Sequence, residues 1–198
     1  MLLKDRVILI TNVEKFAGYG TTRVALAQGA TVLAHDPAFE APSARRKYET
    51  QFQGAHALSA IEPATMIELA LKRHGHIDAL VNNDAFPALR APLGEARLED
   101  YRNALEAMAV VPFHLAQLVA PSMRKRKSGR IVFVSSAAPL RGIANYAPYV
   151  SARAAANGLV SSLARELGRD GITVNAVGSN YVENPDYFPP ALLANREA

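Results

Sequence analysis

Three side chains stand at spacings suited to taking a proton from an alcohol. Ser136 follows the apolar run Ile131-Val132-Phe133-Val134-Ser135, Tyr149 comes after twelve intervening residues, and Arg153 lies four residues beyond Tyr149. On a helix, residues four apart share a face. A free tyrosine titrates near ~10, too high for an efficient base at neutral pH. A permanent guanidinium charge beside it stabilises the tyrosinate and lowers that value. Ser136 can donate a hydrogen bond to a substrate oxygen and hold it against Tyr149, which completes a positioned general base. Tyr146 competes for the role, but the residue four positions on is Val150 rather than a cation. A Tyr–Arg pair alone is equally consistent with a solvated stack on a helix surface.

Positioning such a group requires a scaffold, and the chain alternates short apolar runs with longer amphipathic stretches. Strands are expected at Arg6–Thr11, Ala30–Ala34, Ala55–Ser59, Ile77–Asn82, Arg130–Ser135 and Ile172–Val177. Helices are expected at Gly18–Gln28, Glu62–His74, Leu98–Arg126 (bent at Pro112) and Ala147–Arg169, with Pro37–Phe52 mostly helical. The strands are nearly continuous apolar runs, as in a parallel sheet covered on both faces. The β-α-β alternation predicts one Rossmann-like domain over residues 1–198, a doubly wound parallel sheet flanked by helices. Ligands in such folds bind beyond the carboxyl ends of the strands, where Ser136 falls.

The end of the first strand carries a second signal. It reads Thr11-Asn12-Val13-Glu14-Lys15-Phe16-Ala17-Gly18. This segment resembles the short-chain dehydrogenase/reductase turn, in which Thr is followed by Gly, three residues, Gly, one residue and Gly. Here Asn12 and Phe16 replace the first two glycines and only Gly18 remains. The glycines of such a turn let backbone N–H groups approach a pyrophosphate. A phenyl ring at position 16 obstructs that approach, while Gly18 can still serve helix–strand packing. Asp36 lies at the spacing of an acidic ribose-binding residue, and before Pro37 it is equally an ordinary helix-start residue.

The triad departs from the same pattern in a related way. Dehydrogenases of this type carry Lys where this chain has Arg153, and that Lys also contacts the nicotinamide ribose. Their helix Asn falls at Met108, and their Asn-Asn-Ala-Gly run reads Asn82-Asn83-Asp84-Ala85. Asp84 is expected to orient Arg153 by a charged hydrogen bond. After the sixth strand the loop Gly178–Pro190 gathers Ser179, Asn180, Tyr181, Val182 and Tyr187. Ring edges, a turn's N–H groups and the Asn180 amide suit a large, weakly hydrated anion.

Together these features resemble the halohydrin dehalogenases, relatives of the short-chain dehydrogenases. Thr11-Asn12 with Phe16, His35-Asp36, Asn83-Asp84, the Ser136/Tyr149/Arg153 triad and the Asn180-Tyr181 turn carry the resemblance, which runs from about Arg6 to Pro190. It implies conversion of vicinal haloalcohols to epoxides with halide release, epoxide opening by small anions in reverse, and no cofactor. It implies a halide seat formed by Phe16, Ser179, Asn180, Tyr181, Val182 and Tyr187. It also implies a dimer or tetramer paired through the two long helices, and a further strand beyond residue 198, so that the sixth strand here is an open edge and the chain a truncated one. Two rivals remain: an NAD(P)-dependent oxidoreductase, and a non-catalytic binding module.

Bulk composition narrows the remaining classes. Without cysteine there is no disulfide, thiol nucleophile or Cys-based zinc site. The net charge is +4, and its densest run, Arg124-Lys125-Arg126-Lys127, reads as the cationic last turn of a helix, because no aromatic residues interleave it for nucleic-acid stacking. The apolar run Val7–Ile10 is too short for a signal core, and no later run of uninterrupted apolar residues spans a bilayer. Neither nucleic acid nor membrane is expected as a partner, and a cytoplasmic location is expected.

Overall fold

The computed structural model describes residues 1–59, 62–84 and 86–179. Six strands form one sheet: β1 (Val7–Ile10), β2 (Thr31–Ala34), β3 (Ala55–Ala57), β4 (Ala79–Asn82), β5 (Gly129–Ser136) and β6 (Ile172–Ser179). Their order is β3-β2-β1-β4-β5-β6 and every pairing is parallel. The chain therefore reverses direction across the sheet between β1 and β4, and that reversal opens a crevice at their carboxyl ends. This is the Rossmann-like fold that the sequence predicts.

Alternation along each strand feeds two apolar layers. Val7 and Leu9 pack with Met66 and Ile67 of α3 (Pro63–His74) and Leu115, Val119 and Met123 of α5 (Val111–Arg126). Ile8 and Ile10 pack with Ala25 of α1 (Gly18–Ala27) and Tyr48 of α2 (Pro42–Gln51). Leu9 is fully buried, so Leu9→Ala removes about 2–5 kcal/mol of stability. On the β6 edge Thr173, Asn175 and Val177 are exposed, and β6 is the outermost described strand on that side.

Some boundaries differ from the sequence expectation. The segment Pro37–Phe52 is not one helix. A tight turn at Pro37–Glu40 ends before α2, because Pro42 has no N–H to continue a helix and instead starts one. Strand β5 includes Ser136, and β6 runs on through Gly178 and Ser179, which the sequence places in the loop. The remainder of the expected loop, from 180 on, lies outside the described residues. The helix over Leu98–Arg126 is continuous and comprises α4 (Leu98–Leu105), a wide turn at Glu106–Val110 and α5. In the wide turn the Val111 N–H donates to the Glu106 carbonyl five residues back. That widening absorbs Pro112, which cannot donate and crowds the preceding turn. By length and composition this helix is apolar enough to cross a membrane, although Glu106 and His114 interrupt its apolar run. Within the fold its Leu115, Val119 and Met123 are core residues against the sheet.

Candidate active site

The turn after β1 keeps the backbone of a glycine-rich loop without its glycines. Asn12 has φ +48° and Phe16 φ +43°, both in the left-handed region. Gly18 has no such φ, and its reason for being glycine is contact: a Cβ there would sit 2.3 Å from the Val13 carbonyl oxygen. Phe16 is half-buried and packs against the α1/α2-side cluster. Two neighbours fasten the turn. The Asp36 carboxylate accepts from the N–H of Glu14 and of Ala38, each at 3.0 Å, and the Val13 N–H donates to the His35 carbonyl. Asp36 is thus a helix-start residue that also ties down the turn. Asn83, wholly buried, bonds Asn12, Lys15 and Ala17 in the same turn. The turn thus carries an amide and a phenyl side chain at two positions that are glycine in the dinucleotide-binding pattern.

Across the crevice, α6 (Ala147–Leu167) carries Tyr149, Arg153 and Asn157 on one face. Arg153 is buried, and its guanidinium lies 5.6 Å from the centre of the Tyr149 ring. One end of its planar fork donates to the Val134 carbonyl at 2.7 Å and the other to the Asp84 carbonyl at 2.9 Å. The cation is therefore held by main-chain oxygens from β5 and from the turn after β4. No described carboxylate forms an ion pair with it. Ser135 locks the next helical turn by donating to the Asn157 side-chain oxygen at 2.6 Å. Ser136, at the end of β5, accepts from the Ala138 N–H at 3.1 Å, which leaves its hydroxyl proton to donate elsewhere. Tyr149 packs in a small cluster with Ala104, Met108 and Phe86, so Met108 supplies apolar contact at the dehydrogenase Asn position.

Asp84 requires a correction. The expected charged bond from its carboxylate to Arg153 is absent; the bond runs to its main-chain oxygen. The carboxyl group turns toward β1, with Oδ1 3.5 Å from both the Thr11 hydroxyl and the Asn12 amide. Burial pushes this carboxyl up to about 7, against the pull of the Arg153 guanidinium and the Thr11 hydroxyl. A cavity of about 400 Å³ opens beside it, lined by Thr11, Asn12, His35, Asp84, Glu106 and His114 among others. His35 is buried, its ring nitrogens make no hydrogen bond among the described residues, and burial lowers its pKa against the pull of Asp36.

Of the expected halide residues, Phe16 and Ser179 are described. Ser179 pairs in register with Ser136, and its carbonyl accepts from the Ala137 N–H at 3.0 Å. Asn180, Tyr181, Val182 and Tyr187 lie outside the described residues. The sequence reading lists Asn83 among the motif residues but assigns it no task; its only signal is a second amide directly after a buried strand end.

Residues 6–188 match the family model of the short chain dehydrogenases. The chain belongs to the short-chain dehydrogenase family. The solved structure of a dehalogenation enzyme is 88% identical, with a TM-score of 0.94, and is matched over 100% of this chain and 81% of its own. A halohydrin dehalogenase (HheC) bound to ethyl (2S)-oxiran-2-ylacetate is 34% identical, with a TM-score of 0.90, over 95% of this chain and 79% of that one. This short-chain dehydrogenase relative therefore groups with the halohydrin dehalogenases. The 3-oxoacyl-[acyl-carrier-protein] reductase FabG of Thermotoga maritima is 30% identical over 191 residues, 93% of this chain and 77% of the reductase. An NAD+-bound xylitol dehydrogenase at 23% identity and a TM-score of 0.84 shares the fold.

Proposed function

We propose that the protein converts vicinal haloalcohols to epoxides with release of halide and a proton, and opens epoxides with small anions in reverse, without a nicotinamide cofactor. Tyr149 Oη takes the hydroxyl proton while Ser136 donates a hydrogen bond to the same oxygen. The alkoxide attacks the neighbouring carbon, the new C–O bond closes the epoxide, and the carbon–halogen bond breaks with its electron pair leaving on the halide. Reacting groups on adjacent carbons need only orientation, which accounts for much of the rate. Arg153 stabilises the tyrosinate from within the protein. The halide leaves toward Phe16 and Ser179, with Asn180, Tyr181, Val182 and Tyr187 as the remaining proposed walls.

The observation that carries this reading is the pairing of two changes across one crevice. The β1 turn has side chains on its former glycine positions, and the triad's cation is bonded to protein carbonyls rather than left free for a cofactor ribose. The dehalogenase relatives support the same reading. A second copy is proposed to pair through the two long helices, the first of which exposes Leu98 of α4, Val110 of the wide turn and Phe113 of α5; light scattering should then give a dimer or tetramer.

The test is release of bromide and acid from a vicinal bromoalcohol, measured with and without NAD(P). Release that needs no NAD(P) and is abolished by Tyr149→Phe is expected. Turnover only with NAD(P), accompanied by a nicotinamide absorbance change, would replace this reading with an oxidoreductase.

A further inference from the structure

We propose that Asn157 is a positioning residue for the proton transfer: its side-chain bond to Ser135 sets where α6 stands along β5, and so brings Tyr149 to the Ser136 hydroxyl. The inference rests on the proposed roles of Tyr149 and Ser136. Three consecutive residues of β5 serve this junction. The Val134 carbonyl accepts from Arg153 at 2.7 Å, the Ser135 hydroxyl donates to Asn157 Oδ1 at 2.6 Å, and Ser136 carries the hydroxyl offered to substrate. On the helix, Arg153 and Asn157 follow Tyr149 at four-residue steps along one face.

The two bonds differ in how firmly they hold. Arg153 reaches its carbonyls through a long side chain with four torsions, which can absorb a shift of the helix backbone. The Ser135 side chain has one torsion and that of Asn157 two. Their bond therefore transmits the position of β5 to α6 with little slack. Packing on this stretch adds little register of its own. Besides Arg153, the buried residues of α6 before Leu167 are Ala152 and Ala156, whose methyl groups raise no tall ridge to interlock with a neighbour. Larger apolar anchors, Val160, Leu163 and Leu167, join the core only beyond Asn157. Ala104 and Met108 support the Tyr149 ring from the side of α4 and the wide turn, not from β5. Ser135 is itself buried, where its bond meets little competition from water.

The specific consequence is a loss confined to turnover. Ser136 and Ser179 pair in register through the β5–β6 ladder, which does not pass through α6. Cutting the Ser135–Asn157 bond should thus displace the base and leave the binding residues in place. The experiment measures bromide release from a vicinal bromoalcohol at steady state, with the full chain, in light and heavy water. Asn157→Leu keeps the bulk without the acceptor. Its kcat should fall about tenfold with KM within about twofold of the parent, and the solvent isotope effect on kcat should rise as proton transfer slows. Ser135→Ala should match it. The double variant should lose less than about twofold beyond either single one, because both remove the same bond. Asn157→Asp keeps the acceptor and should hold kcat within about threefold of the parent.

Losses that multiply in the double variant would overturn the inference. So would a KM that rises as much as kcat falls, an isotope effect left at the parent's value, or an Asn157→Asp loss as deep as that of Asn157→Leu. If Tyr149→Phe retains turnover, the base itself is misassigned and this inference falls with it. If Tyr149→Phe is inactive and Asn157→Leu runs at the full rate, the positioning role alone is overturned. Should Asn157→Leu fail to fold, Ser135→Ala against Asn157→Asp makes the same comparison; if none of the three folds, the bond serves the fold and the inference is overturned.

Discussion

The two walls of the crevice have diverged from the dehydrogenase pattern by different means. At the β1 turn the backbone is kept and the side chains have changed: Asn12 and Phe16 hold left-handed angles that glycine would adopt freely, and Asn83 and Asp36 fasten the turn. At the β5–α6 corner the side-chain chemistry is kept and its anchoring has changed: a serine and a tyrosine remain, while an arginine fork replaces an ammonium and spans two carbonyls. One wall thus carries side chains where the dehydrogenase pattern has none, while on the other the cation beside the tyrosine is held by the protein's own carbonyls. Neither change alone accounts for the proposed chemistry. Bulk without an anchored cation gives a blocked dehydrogenase, and an anchored cation without bulk leaves the coenzyme room.

The two walls should respond differently to mutation. The largest loss is expected at the corner: Tyr149→Phe removes the base and should cut kcat by about 10³-fold, while halide affinity at the opposite wall stays within about twofold. Arg153→Lys comes next. A single ammonium cannot bridge the Val134 and Asp84 carbonyls, so kcat should fall about a hundredfold. Full activity in Arg153→Lys would remove the distinction between fork and ammonium. At the other wall, Gly18→Ala forces a methyl group against the Val13 backbone. It should cost about 2–3 kcal/mol, seen as a melting temperature lower by roughly 5–10 °C, with kcat of the folded enzyme little changed.

A pH-dependent effect tests the residue shared by both walls. Asp84 titrates near 7 in the folded protein, against an ordinary value of 3.8. Between these values the unfolded chain has lost its proton and the folded one retains it. The carboxyl's contribution to stability is therefore full below about pH 4, declines as pH rises, and is lost above about 7. Asparagine does not titrate, so Asp84→Asn should gain stability over the parent as pH rises from 4 to 8. The difference in melting temperature should widen by several degrees over that span. An equal difference at both pH values would contradict the raised value.

How far this was legible in the sequence depends on whether a residue acts through its side chain or its backbone. The sheet and the Ser136, Tyr149 and Arg153 set follow from apolar runs and helical spacing, and the structure brings the Arg153 guanidinium beside Tyr149. The loss of the glycine turn was equally readable, since glycine is named in the pattern. Asp84 misled because its type suggests a carboxylate bridge, whereas Arg153 uses its carbonyl, a group that every residue has. The choice between two roles for Asp36 required coordinates, because the helix it starts follows it directly in sequence while the turn it fastens, at Glu14, is brought to it only by the fold. The wide turn at Glu106–Val110 left only Pro112 as a trace, which predicts a disturbance but not its form. Asn83 was visible as a motif letter, yet its three bonds depend on where the turn returns in space.

The most direct measurement of the central claim is a competition titration on one sample: bromide and NAD(P) in turn, each followed calorimetrically, then each in the presence of the other. The account predicts saturable binding of bromide, no detectable heat from NAD(P), and a bromide isotherm unchanged by the dinucleotide. Binding of NAD(P) that displaces bromide would contradict it, because the crevice would then still house a coenzyme.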